Sequence, residues 1–199
     1  MEILKYVAVG LIGYLLGSIS ISIFLSKKAM GGDVRQKGSG NAGATNMARV
    51  YGWSAGLITL GGDMLKASIA MIIGMLILGD LGICIAGIAA VLGHCFPVFY
   101  GFKGGKGVST LAAVACMMDW RVVVIGLAAF IIVAFLTKKV SPGSLAAAVA
   151  VPVVTALIGL TTPKLVLAIF AGVMVIIQHR ANIKRLINGT EANFKAAKK

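Results

Sequence analysis

The sequence predicts an all-α integral membrane protein: seven transmembrane helices, some of them short, with the N-terminus outside and the C-terminus cytoplasmic. Three observations carry this. Of the 199 residues, 59% are hydrophobic and only 13% charged, with a mean hydropathy of +0.97, whereas a soluble domain is about a quarter charged. The apolar residues come in runs close to the ~20 that span a bilayer. The breaks between them carry cations unevenly. When the breaks are assigned alternately to the two sides, Lys5, Arg121 and Lys164 fall outside and Lys66 lies within a run. The other Lys and Arg, from Lys27 to Lys198 and Lys199, fall inside, as expected of cytoplasmic loops.

The first run, residues 3–25, is longer than a signal-peptide core and is followed by Lys27-Lys28, so it reads as a retained span. Its Gly13-x-x-x-Gly17 permits close helix contact. A polar loop covers 26–51. Runs two and three, 53–78 and 81–100, are separated by Gly79-Asp80. Residues 108–118 make a piece about 16 Å long at ~1.5 Å per residue, half a hydrocarbon core. Asp119-Trp120-Arg121 divides it from 122–136. The last two runs are 142–160 and 165–178. A single helix over 108–136 would carry Lys138, Lys139 and the basic tail outside, against the charge bias. A re-entrant hairpin in place of spans four and five keeps the parity, with five full spans. Residues 1–199 read as one membrane domain.

The formal charge of +13 and pI near 10.0 would suggest nucleic acid in a soluble protein. Here loop cations facing anionic lipid account for it, and 7% aromatics is too few for base stacking. Cys84, Cys95 and Cys116 match no zinc or redox spacing and read as small buried hydrophobes. The carboxylates are few, and only Asp33, Asp63 and Glu191 can approach the inner side. That disfavours a metal cage or a two-carboxylate mechanism, and no cofactor is expected. Asp63 and Lys66, three apart in a span, form a neutralised pair or a functional one.

Three polar segments return to the same inner side. The first, 37–49, sets Gly38, Ser39, Gly40, Asn41, Gly43, Thr45 and Asn46 between Lys37 and Arg49. Glycine lets backbone N–H groups approach a ligand, and small donors beside cations suit a phosphate. The second, 94–107, runs from His94 to Lys103, Gly104, Gly105, Lys106 and Gly107, directly before a helix whose N-terminus would attract an anion. It is not a Walker A loop, because Gly101 and Gly105 are separated by three residues and Gly107 follows the lysine. The third begins at His179, with Asn182 on the same helix face and Arg185 and Glu191 beyond. Ser144, at the start of the sixth run, can cap the helix or bind an anion.

Together, Gly38-Ser39-Gly40-Asn41-Ala42-Gly43-Ala44-Thr45-Asn46, residues 94–107, and His179-Arg180-Ala181-Asn182-Ile183-Lys184-Arg185-Leu186 with Gly189 and Glu191 resemble the bacterial acyl-phosphate-dependent glycerol-3-phosphate acyltransferase family (PlsY). The resemblance covers essentially the whole chain. The His-x4-Asp pattern of other acyltransferases of this pathway is missing, since Phe99 follows His94 at that distance and Lys184 follows His179.

The resemblance implies transfer of an acyl chain from acyl phosphate to the 1-hydroxyl of glycerol 3-phosphate in the bacterial inner membrane. The products are lysophosphatidic acid and phosphate, with no requirement for acyl-CoA, acyl carrier protein, metal or nucleic acid. Ser39, Arg49, Lys106, His179 and Asn182 are then the expected catalytic residues. Gly38, Gly40, Asn41, Gly43, Thr45, Asn46, Lys103, Gly104, Gly105, Gly107, Ser144, Arg185 and Glu191 are the expected substrate-binding residues. Direct attack is favoured over an acyl-Ser39 or acyl-His179 intermediate, with His179 or an acyl-phosphate oxygen as base. A small-anion transporter is the alternative. It predicts internal repeats or matching polar features on both faces.

Overall fold

The computed structural model describes residues 2–195; Lys198 and Lys199, counted among the inner cations, lie outside the described residues. These residues form nine α-helices and no strand. They are α1 (Glu2–Ser18), α2 (Ile21–Ala29), α3 (Ala44–Tyr51), α4 (Trp53–Cys95), α5 (Val108–Cys116), α6 (Trp120–Thr137), α7 (Val140–Leu157), α8 (Thr162–Gln178) and α9 (Arg180–Ile187). Four stretches are long and apolar enough to cross a membrane: Glu2–Ala29, Trp53–Tyr100, Trp120–Thr137 and Val140–Leu157. Helices α8 and α9, bent by 56° at their junction, pass the same length and hydropathy test only when taken together.

The second stretch is a hairpin. Leu78 leaves helical geometry and Gly79 takes φ +59°, ψ −140°, so α4 folds back on itself. Gly74 then meets Gly82, and Met71 meets Gly87, across the turn. The turn falls where the sequence places Gly79-Asp80.

The first span differs from the expected unbroken run. The chain breaks at Ile19-Ser20, and the Ser20 hydroxyl accepts a 3.4 Å hydrogen bond from the Ile23 N–H to start α2. A serine inside an apolar run leaves no hydropathy signal, yet its oxygen caps a new helix. The third run also ends early, at Cys95, before Pro97 opens a 3-10 turn at Val98–Tyr100. The sixth begins earlier than expected, at Val140.

Small residues bring these helices together. A Cβ at Gly13 would lie 2.7 Å from the Ala86 carbonyl oxygen, and one at Gly17 would lie 2.7 Å from the Ala90 Cα. Gly93 touches the backbone at Tyr14 in the same seam, so α1 packs on the second arm of α4 backbone to backbone. Gly143 and Gly172 repeat this between α6, α7 and α8. In lipid, where association gains little from hydrophobicity, close backbone packing of this kind carries it.

The interior holds Met71, Ile83, Leu111 and Leu167, while Leu157, Leu76 and Leu4 point outward. Helix α6 buries only Val122 and Gly126 and is peripheral. Cys84 and Cys95 are buried as expected; Cys116 is exposed at the end of α5.

The polar segment after α2 is not shapeless. A second apolar cluster of Val34, Met47 and Ala55, with Leu25, Met30 and Tyr51 against it, pins α3 to α4. The Ser26 hydroxyl accepts from the Val34 N–H at 3.1 Å. Arg35 donates to the carbonyls of Tyr100 (2.8 Å) and Lys103 (3.4 Å), joining this segment to the one after α4.

Candidate active site

All three polar segments converge at one end of the helix bundle. There they line a cavity of about 1300 Å3 with Ser39, Arg49, Lys106, His179, Asn182, Arg185 and Glu191 on its polar side. Gly38, Asn41, Gly43, Thr45, Asn46 and Ser144 line it too. Its other wall is apolar, made by Trp53, Leu57 and Leu60 of α4 and Phe130, Ile131, Ala134 and Phe135 of α6.

Lys106 is the centre of this polar side. Its ammonium reaches Asn182 Oδ1, with Arg185, Glu191 and Arg49 around it. Burial pushes its pKa down to about 8, the Arg185 and Arg49 charges adding to the effect and Glu191 opposing it. Three cations facing one carboxylate leave excess positive charge, which suits a polyanion.

Glu191 organises the third segment. Its carboxylate accepts 2.6 Å hydrogen bonds from Ser141, Asn182 and Arg185. Burial alone would raise its pKa; these three donors outweigh it and hold the carboxyl below the usual range. Asn182 is thereby fixed in orientation, its amide N–H held by Glu191 and its oxygen presented to Lys106.

His179 ends α8 and is buried. Its Nδ1 lies 2.8 Å from the Val175 carbonyl, which can only accept, so Nδ1 carries the hydrogen. Burial, with the Lys106 charge adding, outweighs the Val175 bond and brings the pKa to about 4. At neutral pH the ring is therefore uncharged, and Nε2 keeps its lone pair.

Several expected ligand contacts have other uses in the fold. Asn46 is buried, its Oδ1 accepts from the Ser39 N–H at 2.9 Å, and its Nδ2 faces the carbonyls of Val34, Lys37 and Asn41 at 3.0–3.1 Å. It shapes the loop that presents Ser39, with little capacity left for a phosphate. The N–H groups of Gly104 and Gly105 donate to the carbonyls of Cys95 (3.2 Å) and His94 (3.0 Å) and are not free donors. Gly107 starts α5 with φ +84°, a conformation that favours glycine.

Lys103, Gly104 and Gly40 face away, into a separate cleft of about 510 Å3 that also contains Asp33, Arg35 and Tyr100. Asp33 is tied to Arg35 at 2.8 Å and has Lys27 at 3.5 Å. The Arg35 hydrogen bonds hold its pKa at about 2 against burial. It does not reach the larger cavity. Ser144 donates to the Val140 carbonyl at 3.1 Å one turn inside α7 and caps nothing.

Two contributors carried weaker sequence signals. Ser141 stands three residues before Ser144, and only the geometry shows that its hydroxyl reaches Glu191. Beyond Glu191, residues 192–195 also border the cavity. Phe194 donates its N–H to the Lys138 carbonyl at 3.1 Å and sets its ring edge-on to Trp53, 5.2 Å between centroids. Lys139 donates to Asn193 at 2.9 Å. Among the described residues no group of three or more His, Cys, Asp or Glu is placed to hold a metal ion.

The family model for glycerol-3-phosphate acyltransferase matches residues 7–189. Glycerol-3-phosphate acyltransferases from Desulfotalea psychrophila and Clostridioides difficile are each 41% identical, covering 93% and 96% of this chain and 96% of their own length. The enzyme from Mesorhizobium japonicum is 43% identical over 92% of this chain and 93% of its own. Crystal structures of PlsY (YgiH), an integral membrane glycerol 3-phosphate acyltransferase, have the same fold. Its glycerol 3-phosphate form gives a TM-score of 0.89 at 35% identity, covering 96% of both chains. Its lysophosphatidic acid form gives 0.88 at 33%, covering 96% of this chain and 95% of that one. With the family match running through every segment that lines the polar wall as far as Gly189, the chain belongs to the glycerol-3-phosphate acyltransferase family.

Proposed function

We propose that this chain transfers an acyl group from acyl phosphate to the 1-hydroxyl of glycerol 3-phosphate, releasing 1-acylglycerol 3-phosphate and inorganic phosphate. The observation that carries this reading is the two-sided cavity. Lys106, Arg49 and Arg185 gather positive charge on one wall, and Leu57, Phe130 and Phe135 make the other apolar. A phosphorylated acceptor and an acyl phosphate together bring two phosphates and one lipid chain, which is what such a cavity accommodates. The solved relative whose structures hold glycerol 3-phosphate and lysophosphatidic acid supports the same acceptor and product here.

The acceptor oxygen attacks the acyl carbonyl carbon, the bond from that carbon to the phosphate oxygen breaks, and phosphate leaves. The hydroxyl proton goes to His179 Nε2 or to an oxygen of the departing phosphate. Lys106 and Arg49 hold the donor phosphate and neutralise charge as it leaves; Arg185 and Asn182 hold the acceptor. Fixed charge and orientation dominate such a reaction. Phosphate is already a good leaving group, so no acyl-CoA, carrier protein, metal or strong general acid is required.

We also read the bundle as seven membrane-level segments, α5 being a half-span, in a single domain of the bacterial inner membrane. The N-terminus is outside and the cavity cytoplasmic. Among the described residues, the outer cations Lys5, Arg121 and Lys164 are each paired with a carboxylate, Glu2, Asp119 and Asp80, so that end carries no excess positive charge to hold an anion, which disfavours transport.

Purified protein given radiolabelled acyl donor without acceptor tests the direct route. No stable acyl-protein is expected, and a trapped one overturns direct attack. His179→Ala retaining near-full activity removes His179 as base and leaves the substrate phosphate in that role.

A further inference from the structure

Beside the polar wall lies a set of charges to which the reaction assigns nothing, and of these only His94 lines the cavity. Asp63 is 1% exposed, Lys66 6% and His94 5%, all inside the bundle. Lys66 is paired with Asp63 Oδ1 at 2.9 Å, and His94 Nδ1 faces the same oxygen at 3.7 Å. Lys66 also donates to the Ile19 carbonyl, in the break between α1 and α2. Neither Asp63 oxygen makes a well-aligned hydrogen bond. Buried ion pairs often stabilise less than apolar side chains of similar volume, so packing alone is a poor reason for one here. Ionisable groups inside a membrane bundle point to function.

The cluster leads toward the cavity through His94. Asp63 and Lys66 lie on the first arm of α4; His94 sits at the end of the second, where the chain leaves the helix. The His94 carbonyl accepts the Gly105 N–H at 3.0 Å. The ring lies against Gly105 so closely that a methyl group there would collide with Nε2. His94 also lines the cavity, but Gly105 lies against its Nε2 and Asp63 faces its Nδ1, so its ring is better placed to support the loop than to take a proton from substrate. The next residue is Lys106, whose ammonium reaches across to Asn182.

We propose that Asp63 is a positioning residue that acts through His94: the buried Asp63–Lys66–His94 cluster sets the height of the Gly105–Lys106 step and so the aim of Lys106 into the cavity. The same Lys66 ties that height to the break between α1 and α2. The proposal rests on Lys106 as the phosphate-holding group, but its test needs no substrate.

The test reads the amine of Lys106 directly, by labelling with a small amine-reactive reagent over a range of pH followed by peptide mass spectrometry. In the wild type the expected Lys106 midpoint is about 8, set by burial among Arg185, Glu191, Arg49 and Asn182. Asp63→Asn frees the His94 ring, and the Lys106 midpoint moves toward the 10.5 of an ordinary lysine as the side chain leaves its buried place. Acyl transfer, in parallel, falls at least tenfold in kcat/KM. Where Asp63→Asn fails to fold, His94→Gln, which removes the ring linking Asp63 to the loop, decides the matter by the same displacement; Gly105→Ala, whose methyl group also presses on the Ala42 carbonyl, moves Lys106 directly and serves as the positive control. A merely structural cluster lowers the yield or the thermal midpoint and leaves the Lys106 titration of the folded fraction at its wild-type value. That result in folded Asp63→Asn or His94→Gln overturns the proposal. A wild-type Lys106 titrating near 8 in a protein that does not use acyl phosphate would leave this inference standing and remove the donor assignment instead.

Discussion

Lys106 gives the sharpest residue-scale consequence, because its free-enzyme pKa of about 8 lies within reach of an activity profile. Below that pH the ammonium is charged; above it the amine is neutral and cannot hold a phosphate. A bound anion favours the charged form and raises the pKa. Because kcat/KM reports the free enzyme and kcat the complex, kcat/KM should fall above about pH 8, while the alkaline limb of kcat lies at higher pH. Coincident limbs contradict direct phosphate contact. His179, with a pKa near 4, should give no inflection between pH 6 and 8. Asn46→Ala leaves the Ser39 N–H and three carbonyls without their partner. At about 1 kcal/mol per lost bond, it should lower thermal stability as well as activity, whereas a residue that only contacts ligand would affect activity alone.

At the scale of elements, the small-residue seams hold the bundle and the tail borders the site. Gly17→Val drives a branched side chain into the Ala90 backbone and should cost about 1–3 kcal/mol, as overpacking does, seen as a lower melting point in detergent. Phe194→Ala removes the ring contact with Trp53, where the tail borders the apolar wall of the cavity. It should raise the KM for the acyl donor several-fold and spare the KM for glycerol 3-phosphate; equal effects on both would show that the tail does not act at the apolar wall.

Much of this scale was legible in the sequence: the hairpin turn at Gly79, the half-length α5, and the Gly13/Gly17 contact. The break at Ser20 and the helix α3 were not. A single serine oxygen decides the first, and the second depends on Met47 finding Val34 and Ala55. In the site, the meeting of Arg49, Lys106, His179 and Glu191 on one side could be read from residue type and order. What each polar group touches could not, because Asn46, Gly104, Gly105 and Ser141 use their hydrogen bonds on partners that only the tertiary fold brings near.

For the whole molecule, an apolar wall meets a cationic one at the end of the bundle; under the proposed function, a lipid-like donor need not enter water there to meet a soluble acceptor. The acyl donor is what remains to be measured. The most direct measurement is made with purified protein in liposomes supplied with glycerol 3-phosphate and, in separate reactions, acyl phosphate, acyl-CoA or acyl carrier protein thioester. Lysophosphatidic acid and inorganic phosphate should appear together in equal amounts from acyl phosphate, and neither should form when acyl phosphate or glycerol 3-phosphate is omitted. Lysophosphatidic acid formed from a thioester but not from acyl phosphate would contradict the account.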